Sequence, residues 1–257
     1  MIRSLAGIAE FREHERLQRA IWGSNLIDVP VNLLVAGARH GAVVLGAFDG
    51  ERMIGLLYGF PAITHGRTHH HSHMLGVLPD YRRRGVGLAL KLRQRDLVLG
   101  QGLDLITWTV DPLETGNNLF NFGRLGVVCC TYLVDAYGEM DDELNRGLPS
   151  DRLEVEWRLT DSPAADHEVH KDLPALLELK HDSTGSPRPE LRPHAVGAVI
   201  VVCAPTGYHD LKRRHPDAAL EWRLAVRAAT SELFERGYSL VGCVAAESGV
   251  RYLFKRV

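Results

Sequence analysis

Two periods alternate along this chain, and the switches between them lay out its elements. Ile2 to Leu5 is a short strand-like start. Ile8, Phe11, Leu17 and Ile21 then recur at helical spacing up to Gly23, which predicts a first helix, and Val31 to Ala38 predicts a second before Gly41. Ala42 to Phe48 and Met53 to Phe60 are apolar runs joined by Asp49-Gly50-Glu51, a strong hairpin signal. Thr68 to Leu78 reads as a further strand, closed by the turn pair Pro79-Asp80. From Val86 the period becomes helical, with Leu88, Leu92 and Leu99 on one stripe, Val86, Leu90 and Leu97 beside it, and glycine at 100 and 102 as the stop. Leu103 to Val110 restores a strand, so this helix lies inside a strand-helix-strand unit.

The later pattern is less regular. Asn117 to Leu125 predicts a helix closed by Gly126. Val127 to Val134 predicts a strand, 142–145 a short helix, and Leu153 to Leu159 a half-exposed strand. Residues 160–195 are rich in turn formers and charge, with only Leu173 to Leu179 strand-like, and read as a linker and an irregular connection. Val196 to Ala204 is a buried strand by its unbroken apolar run. A helix from Pro216 to Arg236 carries the stripe Ala219, Trp222, Val226, Ala229 and Leu233, and Tyr238 to Ala245 with Val250 to Phe254 closes the chain as two strands. Two domains are expected, residues 1–160 and a smaller α+β unit over 161–257 that packs on the first.

Composition narrows the class. The chain has 257 residues, 45% of them hydrophobic and 24% charged, with a net charge of -2, so neither a nucleic-acid nor a membrane surface is indicated. Cys129, Cys130, Cys203 and Cys243 show no framework spacing and read as reduced, buried thiols of a cytoplasmic protein. The N-terminus has charges throughout and does not read as a signal peptide.

The chemistry concentrates at the strand-to-helix turn after Thr68 to Leu78. Arg82-Arg83-Arg84-Gly85-Val86-Gly87 places fixed cations and two glycines at a helix start. Unpaired amides and partial positive charge there favour an anion, and missing Cβ atoms let it approach. Together these make a cradle for pyrophosphate, beside the plainer reading of a helix cap with a solvated basic turn. No G-K-[ST] follows, so a P-loop does not fit, and Leu90 stands where a dinucleotide fingerprint needs a small residue. Val77-x-Pro79 followed by Arg82-x-x-Gly85-x-Gly87 resembles the acyl-CoA motif of the GNAT superfamily of N-acyltransferases, V-x-P-x-x-[QR]-x-x-G-x-[GA]. The element order over residues 1–160 is similar to a complete domain of that superfamily. The resemblance implies an α/β (α+β) fold with a mixed, mainly antiparallel sheet flanked by helices, here with an extra C-terminal α+β unit.

It also implies roles. Leu75, Gly76 and Val77 would offer strand-edge amides and carbonyls to pantetheine, and a backbone N–H near Val77 would polarise the thioester. Arg82, Arg83, Arg84, Gly85, Val86, Gly87, Leu88 and Ala89 would hold the pyrophosphate. Asn117 and Asn121 would contact the pantetheine arm, with helix-start and turn roles as the plain alternative. The family's base sits six residues before the motif valine, which is His71 here. His73 is its nearest rival, and strand alternation puts both on one face with Leu75 and Val77. A histidine titrating near ~6.5 suits that task, and a structural histidine is the competing reading. The family's usual acid, a tyrosine four residues before the helix-ending glycine, is Phe122 in this chain. Tyr132 or Tyr137 are substitutes, though a thiolate leaves readily without an acid.

The histidines at 69, 71 and 73 raise a metal reading, but catalytic zinc usually draws ligands from separate segments, and no metal is expected. His69 and His70 read as a solvated strand start. Pro149-Ser150-Asp151-Arg152 is a polar knot in which Arg152 reads as a surface ion pair. The expected activity is transfer of an acetyl or other short acyl group from acyl-CoA to a small-molecule amine such as an amino acid. Resembling proteins linked to N-succinylation of amino acids make succinyl-CoA an alternative donor. A non-catalytic acyl-CoA-binding module is the second hypothesis, and a homodimer stays open.

Overall fold

The computed structural model describes residues 1–23, 29–138, 147–161 and 173–256. The chain divides into two compact units, Met1–Trp108 with Arg158–Thr160, and Thr109–Trp157 with Asp161–Val257. Among the described residues no helix is long and apolar enough to cross a membrane.

In the first unit β1 (Ile2–Ser4), β2 (Val43–Asp49), β3 (Arg52–Thr64), β4 (Arg67–Val77) and the start of β5 (Leu105–Val110) lie side by side in chain order. The pairs from β1 to β4 are antiparallel, and β4 with β5 is parallel. Helices α1 (Ile8–Trp22) and α2 (Val31–Arg39) end within a residue of the predicted limits. Phe11, Leu17 and Leu34 join Val44, Leu56 and Tyr58 in one buried cluster, the apolar face that the spacing implied.

Helix α3 (Val86–Gly100) has the predicted limits but a different buried face. Its buried residues are Leu90, Lys91, Gln94 and Val98, while Leu92 and Leu99 are exposed. Two polar side chains lie on the inner face because the sheet beneath is also polar there. Lys91 Nζ donates to Ser72 Oγ at 2.8 Å, and Ser72 Oγ donates to Gln94 Oε1 at 3.1 Å. The Lys91 ammonium also stands 3.6 Å from the centre of the Trp108 ring, a cation–π contact.

The second unit holds α4 (Thr115–Phe120), β6 (Val128–Leu133), β7 (Arg152–Arg158), β8 (Ala175–His181), β9 (Pro187–Leu191), β10 (Val199–Pro205), α5 (Tyr208–Arg214), α6 (Pro216–Glu235), β11 (Tyr238–Ala246) and β12 (Gly249–Arg256). Its strand order is β7-β6-β11-β12-β10-β8-β9, so strands from both sides of residue 160 share one sheet. The α6 stripe is buried as predicted.

Several expectations change. The predicted helix 117–125 is α4 followed by a π turn, Asn121–Leu125, closed by left-handed Gly126. The connection read as irregular contains the β8–β9 hairpin. Its turn is organised by Asp182, whose carboxylate accepts from Thr184, Ser186 and Arg188. Pro187 and Pro189 are tolerated because β9 ends the strand order, where ladder donors can be missing. Helix α5, which buries only Tyr208 and Leu211, is too short to show a period. The helix expected over 142–145 and most of the linker lie outside the described residues.

Candidate functional site

The turn after β4 is built by backbone as much as by side chains. Pro79–Tyr81 is a single 3-10 turn, and Arg82 Nε donates to the Val77 carbonyl at 3.1 Å, fastening the turn to the strand end. Arg83 (φ 61°) and Gly85 (φ 80°) are both left-handed, which swings the chain into α3. The first bond into that helix is Ala89 N–H to Gly85 O at 3.0 Å, and no side chain caps its start. The amides of Val86, Gly87 and Leu88 are therefore unclaimed, with three exposed arginines just before them. A Cβ on Gly87 would meet only Leu75 Cδ2, at 3.7 Å. Packing does not require a glycine there, so the space is open to a ligand.

Strand β4 supplies the second feature. On its β3 side it is paired from Arg67 to Val77, but on its β5 side only His70 and His71 pair, with Ile106 and Thr107. Toward β5, no strand among the described residues pairs with Ser72 to Val77, and this edge leads directly into the turn, where Arg82 takes the Val77 carbonyl. Its amides and carbonyls can take up an extended amide-bearing chain as an added strand would.

A bulge lies in the middle. Tyr58 faces Met74 and Gly59 faces Ser72, which leaves His73 as the extra residue. This corrects the expected alternation. Cross-strand partners share a face, so His71 lies with Phe60, and Met74 with Tyr58. Leu75 and Val77, opposite Leu57 and Gly55, point to the other face, toward Gly87 and Val86 of α3. The His71 and His73 rings still meet, 6.5 Å apart, because the bulge turns His73 back beside Phe60 and Tyr58.

His71 pairs through Nδ1 with Thr107 Oγ1 at 3.2 Å. Burial, reinforced by His73, His69 and Lys91, lowers its pKa to about 4, well under the value expected from the sequence. Burial lowers His73 as well. His69 and His70 are not a solvated strand start: both are buried, and neither His70 ring nitrogen has a partner. Burial, with Lys91 as the next cause, brings His70 to about 4.

The remaining candidates fall in the second unit. Asn117 is exposed on α4, Asn121 is buried at the π turn, and Phe122 is fully buried, edge-on to Tyr252. The Tyr132 hydroxyl donates to Asp151 Oδ2 at 2.9 Å, and burial together with that carboxylate raises its pKa far above the phenolic norm. Tyr137 is exposed and bonds Thr109. Arg152 is not a surface residue. It is buried, donates to the Asp151 carbonyl at 2.8 Å and reaches Asp111 at 3.4 Å. All four cysteines are free, and Cys130 is exposed, unlike the expected buried thiol.

Sequence reasoning missed the ion pairs that organise this unit. Arg223 meets Asp111 with two 2.8 Å bonds, and Arg227, one turn on, meets Asp151 with two more. The arginines' i, i+4 spacing on α6 was the only signal, and it carries no partner information. Among the described residues no cluster of His, Cys, Asp or Glu is arranged to hold a metal.

Residues 9–121 match the model of the acetyltransferase (GNAT) family. A search of curated proteins found no match. Among solved structures, an aminoglycoside 6'-acetyltransferase type Ii is similar at TM-score 0.51 and 17% identity, over 63% of this chain and 99% of that one. The ribosomal-protein-alanine N-acetyltransferase from Brucella melitensis gives 0.49 and 19%, over 62% and 99%. The ribosomal-protein-S18-alanine N-acetyltransferase from Escherichia coli gives 0.48 and 14%, over 66% and 98%. The first of these supports the fold, and the family match covers the strand edge, the turn and the helix start described above. Over residues 9–121 the chain is thus similar to the acetyltransferase (GNAT) family, and this match supports reading it as an acyltransferase.

Proposed function

We propose that the protein moves an acetyl or other short acyl group from acyl-CoA to the amine of a small metabolite, with amino acids the first class to test, by direct attack in a ternary complex. The observation that carries this reading is the β4 edge, Ser72 to Val77, unpaired toward β5 among the described residues and running into a helix start opened by Gly87. Leu75, Gly76 and Val77 would bond the amides of pantetheine. The amides of Val86 to Ala89, with Arg82, Arg83 and Arg84, would bind the pyrophosphate, which suits helix-terminal N–H groups and guanidinium forks. Residues 1–160 would form the acyl-CoA-binding catalytic domain, with Asn117 and Asn121 on the pantetheine arm.

In the transfer, the amine nitrogen attacks the thioester carbon, the C–S bond breaks, and coenzyme A leaves as thiolate. The amine's surplus proton goes to a base, His71 or His73, directly or through water. A backbone N–H at Val77 would stabilise the oxyanion. Tyr132 has the weaker claim as acid, because its proton is already held by Asp151, and the thiolate needs none. Calorimetry with coenzyme A on wild type and Gly87→Val tests the site, and mass spectrometry of amines incubated with acetyl-CoA or succinyl-CoA tests the transfer. Equal affinity in the two proteins would remove the cradle from the mechanism.

A further inference from the structure

Asn117 and Asn121 stand on a six-residue helix and the turn after it. A helix of that length does not hold itself. Its placement comes from Asn118 and Arg152 and, above all, from residues between 209 and 252. Arg223 grips the Asp111 carboxylate with two 2.8 Å bonds, and that same carboxylate accepts the Leu113 N–H at 2.8 Å to start the turn into α4. The Tyr252 hydroxyl donates to the Pro112 carbonyl at 2.5 Å and accepts from Asn118 Nδ2 at 2.9 Å. Asn118 Nδ2 also bonds the Asp111 carbonyl at 2.8 Å. His209 Nε2 lies 2.5 Å from Glu114, the residue capping α4. Farther on, Phe122 packs on the Tyr252 ring, and a Cβ on Gly123 would sit 2.9 Å from the Cys243 carbonyl. Apart from Asn118, these holders lie beyond residue 121, where the family match ends.

We propose that Tyr252 and Arg223, with His209 in support, are positioning residues for acyl-CoA: they fix Asp111, Pro112, Glu114 and Asn118, and so set where Asn117 and Asn121 stand. The inference rests on reading those two asparagines as pantetheine contacts. A planar guanidinium fork fixes both the distance and the plane of the carboxylate it binds, so it determines the direction in which the chain leaves Asp111. Tyr252 then joins two points on that exit, the Pro112 carbonyl and the Asn118 amide, through one oxygen.

The experiment is a calorimetric titration with acetyl-CoA on wild type, Tyr252→Phe and His209→Gln, each repeated in an Asn117→Ala/Asn121→Ala background. Tyr252→Phe keeps the ring against Phe122 and removes one oxygen. The His209–Glu114 pair is about one-third exposed, so His209→Gln folds even if the tyrosine variant does not. Tyr252→Phe should weaken acetyl-CoA about tenfold and His209→Gln severalfold, and both effects should vanish in the asparagine-free background, as coupling between linked residues requires. With an amine that the wild type accepts, KM for acetyl-CoA should rise by the same factor while kcat holds. A lowered melting temperature with unchanged affinity would reduce these contacts to structure alone. An equal loss in the asparagine-free background would also overturn the proposal. A wild type that binds no acetyl-CoA would fail the parent reading first and take this inference with it, and that result is visible before any variant is made.

Discussion

No neighbour would exclude a side chain at Gly87, since the nearest atom to a Cβ there is Leu75 Cδ2 at 3.7 Å. Within a helix, alanine is more stable than glycine by about 0.5–1 kcal/mol. Gly87→Ala should therefore raise stability in urea by roughly that amount while weakening coenzyme A binding. A variant that is more stable and binds equally well would show the glycine is unrelated to ligand. His71 makes the second prediction at this scale. Burial brings it to about 4, so it is neutral and able to accept a proton throughout the physiological range. If it is the base, His71→Ala should cost about 10²-fold in kcat/KM, and the enzyme's own rising limb should centre near pH 4, below any limb set by the amine. A limb that tracks the amine's basicity and survives His71→Ala would leave the histidine a strand-building role. The motif residues were legible because their chemistry is local: glycines, arginines and a proline act within one turn. The histidine's titration was not, because it depends first on burial, which the fold supplies, then on His73 and His69 and on Lys91 from α3.

Strand β4 and helix α6 show why elements are harder to read than motifs. Alternation predicted which β4 residues share a face up to His71. One extra residue at His73 reversed the parity beyond it, and parity errors move every later side chain to the other face. On α6 the apolar stripe was found, but nothing in the sequence pointed from Arg223 and Arg227 to the carboxylates they meet. Asp151 has no exposed side chain and accepts two bonds from Arg227, one from Tyr132 and one from the Asp135 amide. Removing the guanidinium leaves a buried carboxylate short of its counter-ion, which commonly costs about 3–5 kcal/mol. Arg227→Met should therefore lower the unfolding free energy by roughly 3 kcal/mol, while a change at the exposed Arg213 should be near neutral. Denaturant titration of both variants checks this, and equal small effects would show that water reaches Asp151.

Over the whole molecule two features limit stability. His14 and His70 are fully buried and each is lowered to about 4 by burial. Between that value and the unfolded value near ~6.5, the unfolded chain binds protons that the folded chain refuses, so stability must fall as pH falls through this window. Each group contributes up to ~3 kcal/mol, present in full above pH ~6.5 and lost toward pH 4. Unfolding free energy measured from pH 7 to 4.5 should drop steeply, and His70→Gln should flatten the slope. An unchanged slope would mean that water already solvates His70. The second feature is chain economy. Cutting after residue 160 removes Arg223 and Arg227 from Asp111 and Asp151 and takes β11 from β6. A 1–160 fragment should therefore aggregate or fail to fold cooperatively, and a soluble fragment with sharp thermal unfolding would contradict this.

The sequence by itself determined the helix and strand succession of the first 110 residues, the turn and glycine-opened helix start after β4, and the α6 stripe. Each of these depends on the order of neighbours within a few residues: a period, a turn pair, a run of arginines before glycine. Tertiary structure decided the bulge at His73, the burial of His69, His70 and Arg152, the polar inner face of α3, and the partners of Asp111 and Asp151. These depend on what stands opposite in space, from residues 36 to 112 positions away in the cases of His71–Thr107 and Asp111–Arg223. Side-chain type alone does not encode such distances. A histidine, lysine or arginine reads as solvated until the fold supplies the serine, the tryptophan ring or the carboxylate that makes its burial affordable.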